Sequence, residues 1–476
     1  MNYKIIFISI FFCSQILYPQ RTHKVNDFIN NMYSSTEMSN INKNQSIKIK
    51  ENSLFNKSFL PDISLSFTLP AYNRSISEIL QPDGTYAFRE SNNANSRVNL
   101  TVSQKLPFTG GQLSISNSFN RLDNFDQGDV TTSYSASWLG ASLSQPLNFF
   151  NEMKWDKRIQ DARYQANEIE YKRVQIEVKK KAVEEYFQIL QIKNEKIINN
   201  KALQTADIYK KVLKKLINAG RLIAYDSIDI ELKVLDLQKR SRFLSKSESL
   251  KTESINHFFN SRIIDDNDYF ETPKLQLDLK DKQYYIDRYL ELFAVMENSR
   301  LLGLEKSVKR LESSRFYSAN VTIGAGFNNA SNYYYDIFQN PNQSQNFSIS
   351  LSVPLLDFGR KRTELEISRT QYDIETSNLK QEKLLTLDRI NFLYEEVKDL
   401  AESLAIEEDR LKLLTIKLKR METLLFAHNI LLKEYSETEN EYFNTVSERI
   451  DILKNCYEKI TEIELITLID ILKNEN

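Results

Sequence analysis

A chain of 476 residues with 27% charged residues and a formal net charge of only -1 carries its charges interspersed, which leaves no basic stripe and excludes a nucleic-acid partner. Its three histidines, His23, His257 and His428, have no companions at ligand spacing, and Cys13 and Cys456 are far apart in sequence, so no metal site is expected. Gly110-Gly111 lacks the Lys-Ser of a phosphate loop, and Asp265 to Asp268 lacks the Gly and Glu of a calcium loop; no cofactor and no enzymatic activity are expected, and the acidic run is expected to be a solvated linker.

In chain order, Lys4 and the mainly apolar run Ile5 to Leu17 predict an export signal over residues 1 to 20, too short to span a bilayer as a helix. Residues 22 to 60, rich in Asn and Ser, predict a short helix. Strands follow. Ile63, Leu65, Phe67 and Leu69 alternate with Ser64, Ser66 and Thr68; Val98, Leu100 and Val102 with Asn99, Thr101 and Ser103. Leu113, Ile115 and Phe119 alternate with Ser114, Ser116 and Ser118, and Leu139, Ala141 and Leu143 with Ser142 and Ser144. The turn Leu106 to Gly111 leaves open whether this region holds two strands or four.

From about 151 to 218 the period changes. A 4-3 series from Trp155 through Ile159, Ala162, Ala166 and Ile169 to Val183, Phe187, Leu190 and Ile197 predicts a narrow coiled-coil-like seam. At ~1.5 Å per residue such a helix is about 100 Å long and belongs to a rod or a tunnel wall. No proline lies between Leu147 and Thr272 or between Leu355 and Asn476, and Gly220 and Gly359 are the only glycines there. That absence is what very long helices require, since Pro costs about 3 kcal/mol inside one.

The second half repeats the first at an offset of 208 residues. Leu143-Ser144-Gln145-Pro146-Leu147 recurs as Leu351-Ser352-Val353-Pro354-Leu355, and Gly220 and Asp226 fall opposite His428 and Glu434. The expected organisation is a first repeat over 21 to 260, a polar linker over 261 to 280, and a second repeat over 281 to 476 with two strands, Val321 to Phe327 and Phe347 to Val353. Strands with one apolar face, one small polar face and almost no charge suit a membrane barrel, whose outside meets lipid and whose lumen meets water. A soluble sandwich would carry Lys and Glu on its wet face. A few strands from one chain cannot close a barrel, so other copies must complete it.

Taken together, the Leu-Ser-x-Pro-Leu element followed by Asp357-Phe358-Gly359-Arg360, the segment Ala219 to Asp226 with its Gly six residues before an acid, and the duplication resemble the TolC-type outer-membrane efflux family. The resemblance covers nearly the whole chain after residue 20. It implies an α+β membrane protein of the outer membrane: a homotrimer whose transmembrane β-barrel continues into a long α-helical coiled-coil periplasmic tunnel. It implies, as partners, outer-membrane lipid, a periplasmic adaptor (membrane fusion protein) and an inner-membrane transporter, in efflux or type I secretion. His428 departs from the family's usual Gly. By this resemblance the hairpin tips hold Gly220, Asp226, Asp229, His428, Glu434 and Glu437 at the aperture, with Leu222, Ile223, Ile430 and Leu431 exposed for adaptor docking. The acids equally suit helix N-termini. The alternatives are a periplasmic adaptor, which would show Gly-rich lipoyl-like segments not found here, and a structural coiled coil without a pore, which needs no uncharged strands.

Overall fold

The computed structural model describes residues 21–126, 129–148, 150–220, 227–275, 277–427 and 429–472. The proposed signal at 1 to 20 lies outside them. In order the elements are β1 (Thr22–His23), α1 (Val25–Asn31), a 3-10 turn (Met32–Ser34), α2 (Thr36–Lys57), β2 (Asp62–Leu80), β3 (Tyr86–Leu106), β4 (Gly111–Asp126) and β5 (Asp129–Pro146). There follow α3 (Glu152–Asn218), α4 (Ile228–Phe258), β6 (Tyr269–Phe270), α5 (Lys282–Ser314), β7 (Ser318–Ser331), β8 (Asn342–Ser352), α6 (Arg360–Phe426) and α7 (Leu432–Thr467). The region left open between two strands and four holds four. Both α3 and α6 are 67 residues long, and they begin and end 208 positions apart.

Two compact units each draw on both halves of the chain. One comprises 44–170 and 290–386. Its strands form a single antiparallel sheet in the order β2-β3-β4-β5-β7-β8, with bulges at Thr68/Ala71, Ser116/Ser118 and Ser137/Leu139 that raise the local twist. Below the sheet, Ile159 and Ala162 of α3 bury against Leu302 of α5. Lys306 ties α5 to Glu152 at 3.1 Å and Asp156 at 2.6 Å, and Arg300 ties it to Glu375 at 2.8 Å and Glu382 at 2.7 Å on α6.

The other unit comprises residues 21–43, Tyr171–Tyr289 and 387–472 of the described chain. Its core is aromatic: Phe28 stands edge-on to Tyr186 at 5.2 Å and to Phe259 at 5.4 Å, and Phe187 packs on Tyr457 at 5.2 Å. Each such side chain, fully buried, contributes about 1.5–3 kcal/mol. Here the acidic run departs from the expected solvated linker. Asp268 is buried, takes a hydrogen bond from the Asp265 N–H at 2.8 Å, and pairs with His23 Nε2 at 3.0 Å, beside the parallel pairing of β1 with β6. Burial raises the pKa of its carboxyl, but the hydrogen bonds and His23 outweigh that and hold it below the usual range.

The predicted seam of α3 also drifts. Ile159, Ala162, Ile169, Val183, Phe187 and Leu190 are buried, yet Ile197 is 53% exposed while Tyr186, Ile189 and, further on, Ala202, Ala206, Tyr209 and Leu213 are buried. A straight helix departs from a 3.5-residue repeat by about 20° per heptad. Ile197 is only one heptad from fully buried Leu190, so drift is a small part of the change: beyond the aromatic core α3 packs with a second core, and its buried face moves to the side that carries Ala206, Tyr209 and Leu213.

Candidate functional site

The register of the sheet sorts its residues into two faces. Across one run Phe67, Val98, Phe119 and Ala136; then Ile63, Val102, Ile115, Ala141 and Ala325; then Leu113, Leu143, Ile323 and Phe347. Across the other run Ser66, Asn99, Ser118 and Ser137; then Ser64, Thr101, Ser116, Gly140, Gly326 and Ser344; then Ser103, Ser114, Ser142, Gly324 and Asn346. Because successive side chains point to opposite faces, the alternation read along each strand becomes one mainly apolar surface, interrupted by Gln104, Asn117, Gln343 and Gln345, and one small, polar surface. Among the described residues nothing covers the apolar surface at Phe67, Phe347 and Ile349, which are all exposed.

Aromatic residues bound this surface at both ends. Towards the turns, Phe119, Tyr134 and Tyr334 form a triangle with centroids 5.6 to 6.1 Å apart, and Trp138 Nε1 donates to the Ile337 carbonyl at 2.9 Å. Charge resumes at this level, where Arg121 pairs with Asp123 at 3.0 Å. Towards the helices, Phe108, Phe316, Leu355, Leu356 and Phe358 are exposed. Between the two, Gly111 to Phe119 is nine residues, at the short end of the roughly 9–11 that a tilted transmembrane strand needs. The sheet has two open edges, β2 and β8.

The hairpin tips belong to the other unit. Gly220 has φ of +70° and sits just past the end of α3, its N–H donating to the Ile217 carbonyl at 3.0 Å; a residue with a Cβ is strained in this left-handed position. Leu222, Ile223, Asp226 and His428 lie outside the described residues. Asp229 is exposed in the first turn of α4, as is Glu434 in the first turn of α7 with Glu437 beyond it, and among the described residues none of the three has an ion-pair partner. Of the two remaining apolar candidates, Leu431 is 69% exposed. Ile430 differs from expectation: it is half-buried, packed with Leu213, Ile230, Val234, Leu418, Leu425 and Tyr435 in a small core immediately behind the tips.

A polar cluster in this core went unread in the sequence. Lys233 of α4 reaches Glu439 Oε2 at 2.7 Å and Ser436 Oγ at 2.8 Å on α7, and the Tyr435 hydroxyl donates to Glu439 Oε1 at 3.2 Å. Glu439 is 3% exposed. Burial, with the Glu439 charge adding to it, pushes the Tyr435 phenol well above its ordinary value, so it stays a donor. The available signal was the 3-4-3 series Tyr435, Thr438, Tyr442 and Thr445, which brackets Glu439 on the inward side of α7.

With this geometry, the chain is similar to solved outer-membrane channels. The outer-membrane channel OprN matches at 13% identity and a TM-score of 0.66, over 93% of this chain and 89% of that one. The outer membrane protein VceC from Vibrio cholerae matches at 10% identity and 0.64, over 93% and 95%, and the Campylobacter jejuni CmeC outer membrane channel at 11% and 0.62, over 95% and 87%. No family model and no curated protein matches the chain. At such identities the likeness establishes the fold of the single chain, the mixture of long helices and one antiparallel sheet that the sequence resemblance implied.

Proposed function

We propose that the chain is the outer-membrane exit duct of a tripartite efflux or type I secretion system, a passive conduit whose energy comes from an inner-membrane transporter reached through a periplasmic adaptor. The observation that carries this is the two-faced sheet with open edges. Unpaired edge groups cost several kcal/mol each in hydrocarbon, so β8 of one copy must pair with β2 of the next. Six strands from each of three copies close a barrel wide enough to hold water, because barrels of about 16 to 18 strands leave an aqueous channel. The Ser, Thr, Asn and Gly face then lines the lumen, and the apolar face meets lipid.

The test is direct: the protein should fractionate with the outer membrane, run as a trimer in mild detergent and conduct ions in planar bilayers. Recovery as a water-soluble monomer would sink the proposal.

In the same assembly the tips ring the inner aperture. Asp226, Asp229, Glu434 and Glu437, with Gly220 and His428 at the turns, bring acids from three copies towards one axis, while Leu222, Ile223 and Leu431 offer apolar contact to the adaptor and Ile430 supports them from the core behind. Replacing Glu434 and Glu437 with Gln should weaken cation preference in single-channel recordings without loss of trimer. Asp229→Lys should shift preference towards anions, and both effects should shrink as salt rises. Unchanged ion preference in variants shown to insert would reduce these acids to helix N-terminal stabilisers.

A further inference from the structure

Arg97 of β3 interrupts the polar face of the sheet. It lies opposite Thr68 on one side and Asn120 on the other, and through Asn120 falls level with Ser135 and Ala330. Because side chains two apart point the same way, it shares its face with Asn99 and Thr101. From the row of Thr101 to the row of Asn93, every other residue in register on this face is Ser, Thr, Asn, Gly, Ala or Leu. Arg97 itself is exposed.

Nothing nearby neutralises it. The nearest described charges on the same face are Asp62, opposite Ser103, and Asp129 of β5, each six positions along the strands from the level of Arg97. At ~3.4 Å per residue that is ~20 Å, more than two Debye lengths of ~8 Å at physiological salt. Among the described residues Arg97 has no ion-pair partner. Asn95, two places along the strand, and Asn120, directly across, each keep a buried carbonyl oxygen without a hydrogen-bond partner, so neither amide accepts from the guanidinium. Its N–H groups are left for water or a passing anion, and a guanidinium offers them as a planar fork that matches the oxygens of carboxylates and phosphates.

We infer that the Arg97 side chains of three copies form a cationic ring in the barrel lumen, and that this ring makes Arg97 a specificity-determining residue of the duct, favouring cargo that carries carboxylate, sulfate or phosphate groups. The inference rests on the trimeric duct proposed above. Rings of Arg or Lys select anions in pores, as rings of acids select cations. The ring stands at the level of the outer aromatic rim, since Val98, the next residue of β3, is opposite Phe119 of the aromatic triangle. The duct then holds two filters of opposite sign in series, acids at the inner aperture and a base near the outer mouth.

The test records single channels of the assembled protein in planar bilayers under a low-salt potassium chloride gradient. Arg97→Gln should raise the potassium-to-chloride permeability ratio roughly twofold and Arg97→Glu roughly fivefold, while Arg97→Lys stays near wild type and all differences close as salt rises. Placement is read after assembly. A membrane-impermeant sulfonate thiol reagent should lower the conductance of Arg97→Cys channels in discrete steps and leave Val98→Cys channels, altered on the apolar face, unchanged; Cys456 is buried and stays silent. Channels that insert with wild-type ion preference in both Arg97→Gln and Arg97→Glu overturn the ring and leave the duct standing. So do Arg97→Cys channels that ignore the reagent, and Arg97→Lys channels that behave like Arg97→Gln, because charge in the lumen would then not be the cause. Absence of any conductance from folded wild-type protein removes the duct reading itself, and the ring with it.

Discussion

Phe347→Arg should destabilise the assembled protein by about 2–4 kcal/mol per copy, whereas Ser348→Arg should assemble and narrow the pore. Phe347 lies midway along β8, in register with Ile323, Leu143 and Leu113, and is 67% exposed on the apolar face. In the proposed barrel a guanidinium placed there faces hydrocarbon near the bilayer midplane. Ser348 is opposite Thr322, which is opposite Ser144, on the face assigned to the lumen, where a long cation finds water. Leu351 belongs to the same apolar face but sits one residue from the helix-ward end of β8, opposite Ala319. Leu351→Arg should cost only about 0–1 kcal/mol, since the penalty falls towards the interface. Trimer unfolding in detergent and single-channel conductance read the two outcomes separately. Equal tolerance of Phe347→Arg and Ser348→Arg in channels of unchanged conductance would falsify the assignment of the faces.

The two-faced sheet was legible because its signal is local: a period of two, with Ser or Thr at nearly every second place and almost no charge, needs no knowledge of the neighbours. Long helices were legible for the complementary reason, the absence of Pro and Gly. Strand number was not, although Gln81-Pro82-Asp83-Gly84 between β2 and β3 is turn chemistry, with Gly84 at φ +83°. The alternation in Arg74 to Glu90 is broken by charge, including the cross-strand pair of Arg74 with Glu90, and so reads poorly as strand. Tertiary effects escaped more completely. Asp268 is buried because His23, some 245 residues earlier, reaches it. Ile430 is half-buried because four helices converge behind the tips, which spacing along one helix cannot report. Ile197 fell outside the buried face because α3 passes there from one core to another and buries a different side, which a single repeat along the helix cannot report.

The second large effect is expected at Glu439, where Glu439→Ala should cost about 3–5 kcal/mol. The substitution removes one member of a buried ion pair and leaves the Lys233 ammonium, 22% exposed, with only Ser436 and the face of the Tyr435 ring, 5.7 Å away, to replace its partner. It also takes the acceptor from the Tyr435 hydroxyl. Desolvation makes the pair a poor source of net stability, so removing both charges should behave differently from removing one. Lys233→Met with Glu439→Leu should be nearly neutral or stabilising, because apolar side chains of similar size restore packing without an uncompensated charge. The double-mutant cycle therefore separates the cost of an orphaned lysine from the worth of the pair. Lys233 is on the helix that leaves the first tip and Glu439 on the helix that leaves the second, so the pair joins the two hairpins behind the proposed aperture. If it restrains that aperture, the Ala variant should show larger or noisier single-channel currents while the apolar pair stays close to wild type. Equal stability of the Ala variant and the apolar pair would show that Lys233 finds another partner, and would remove Glu439 from any account of how the tips are held together.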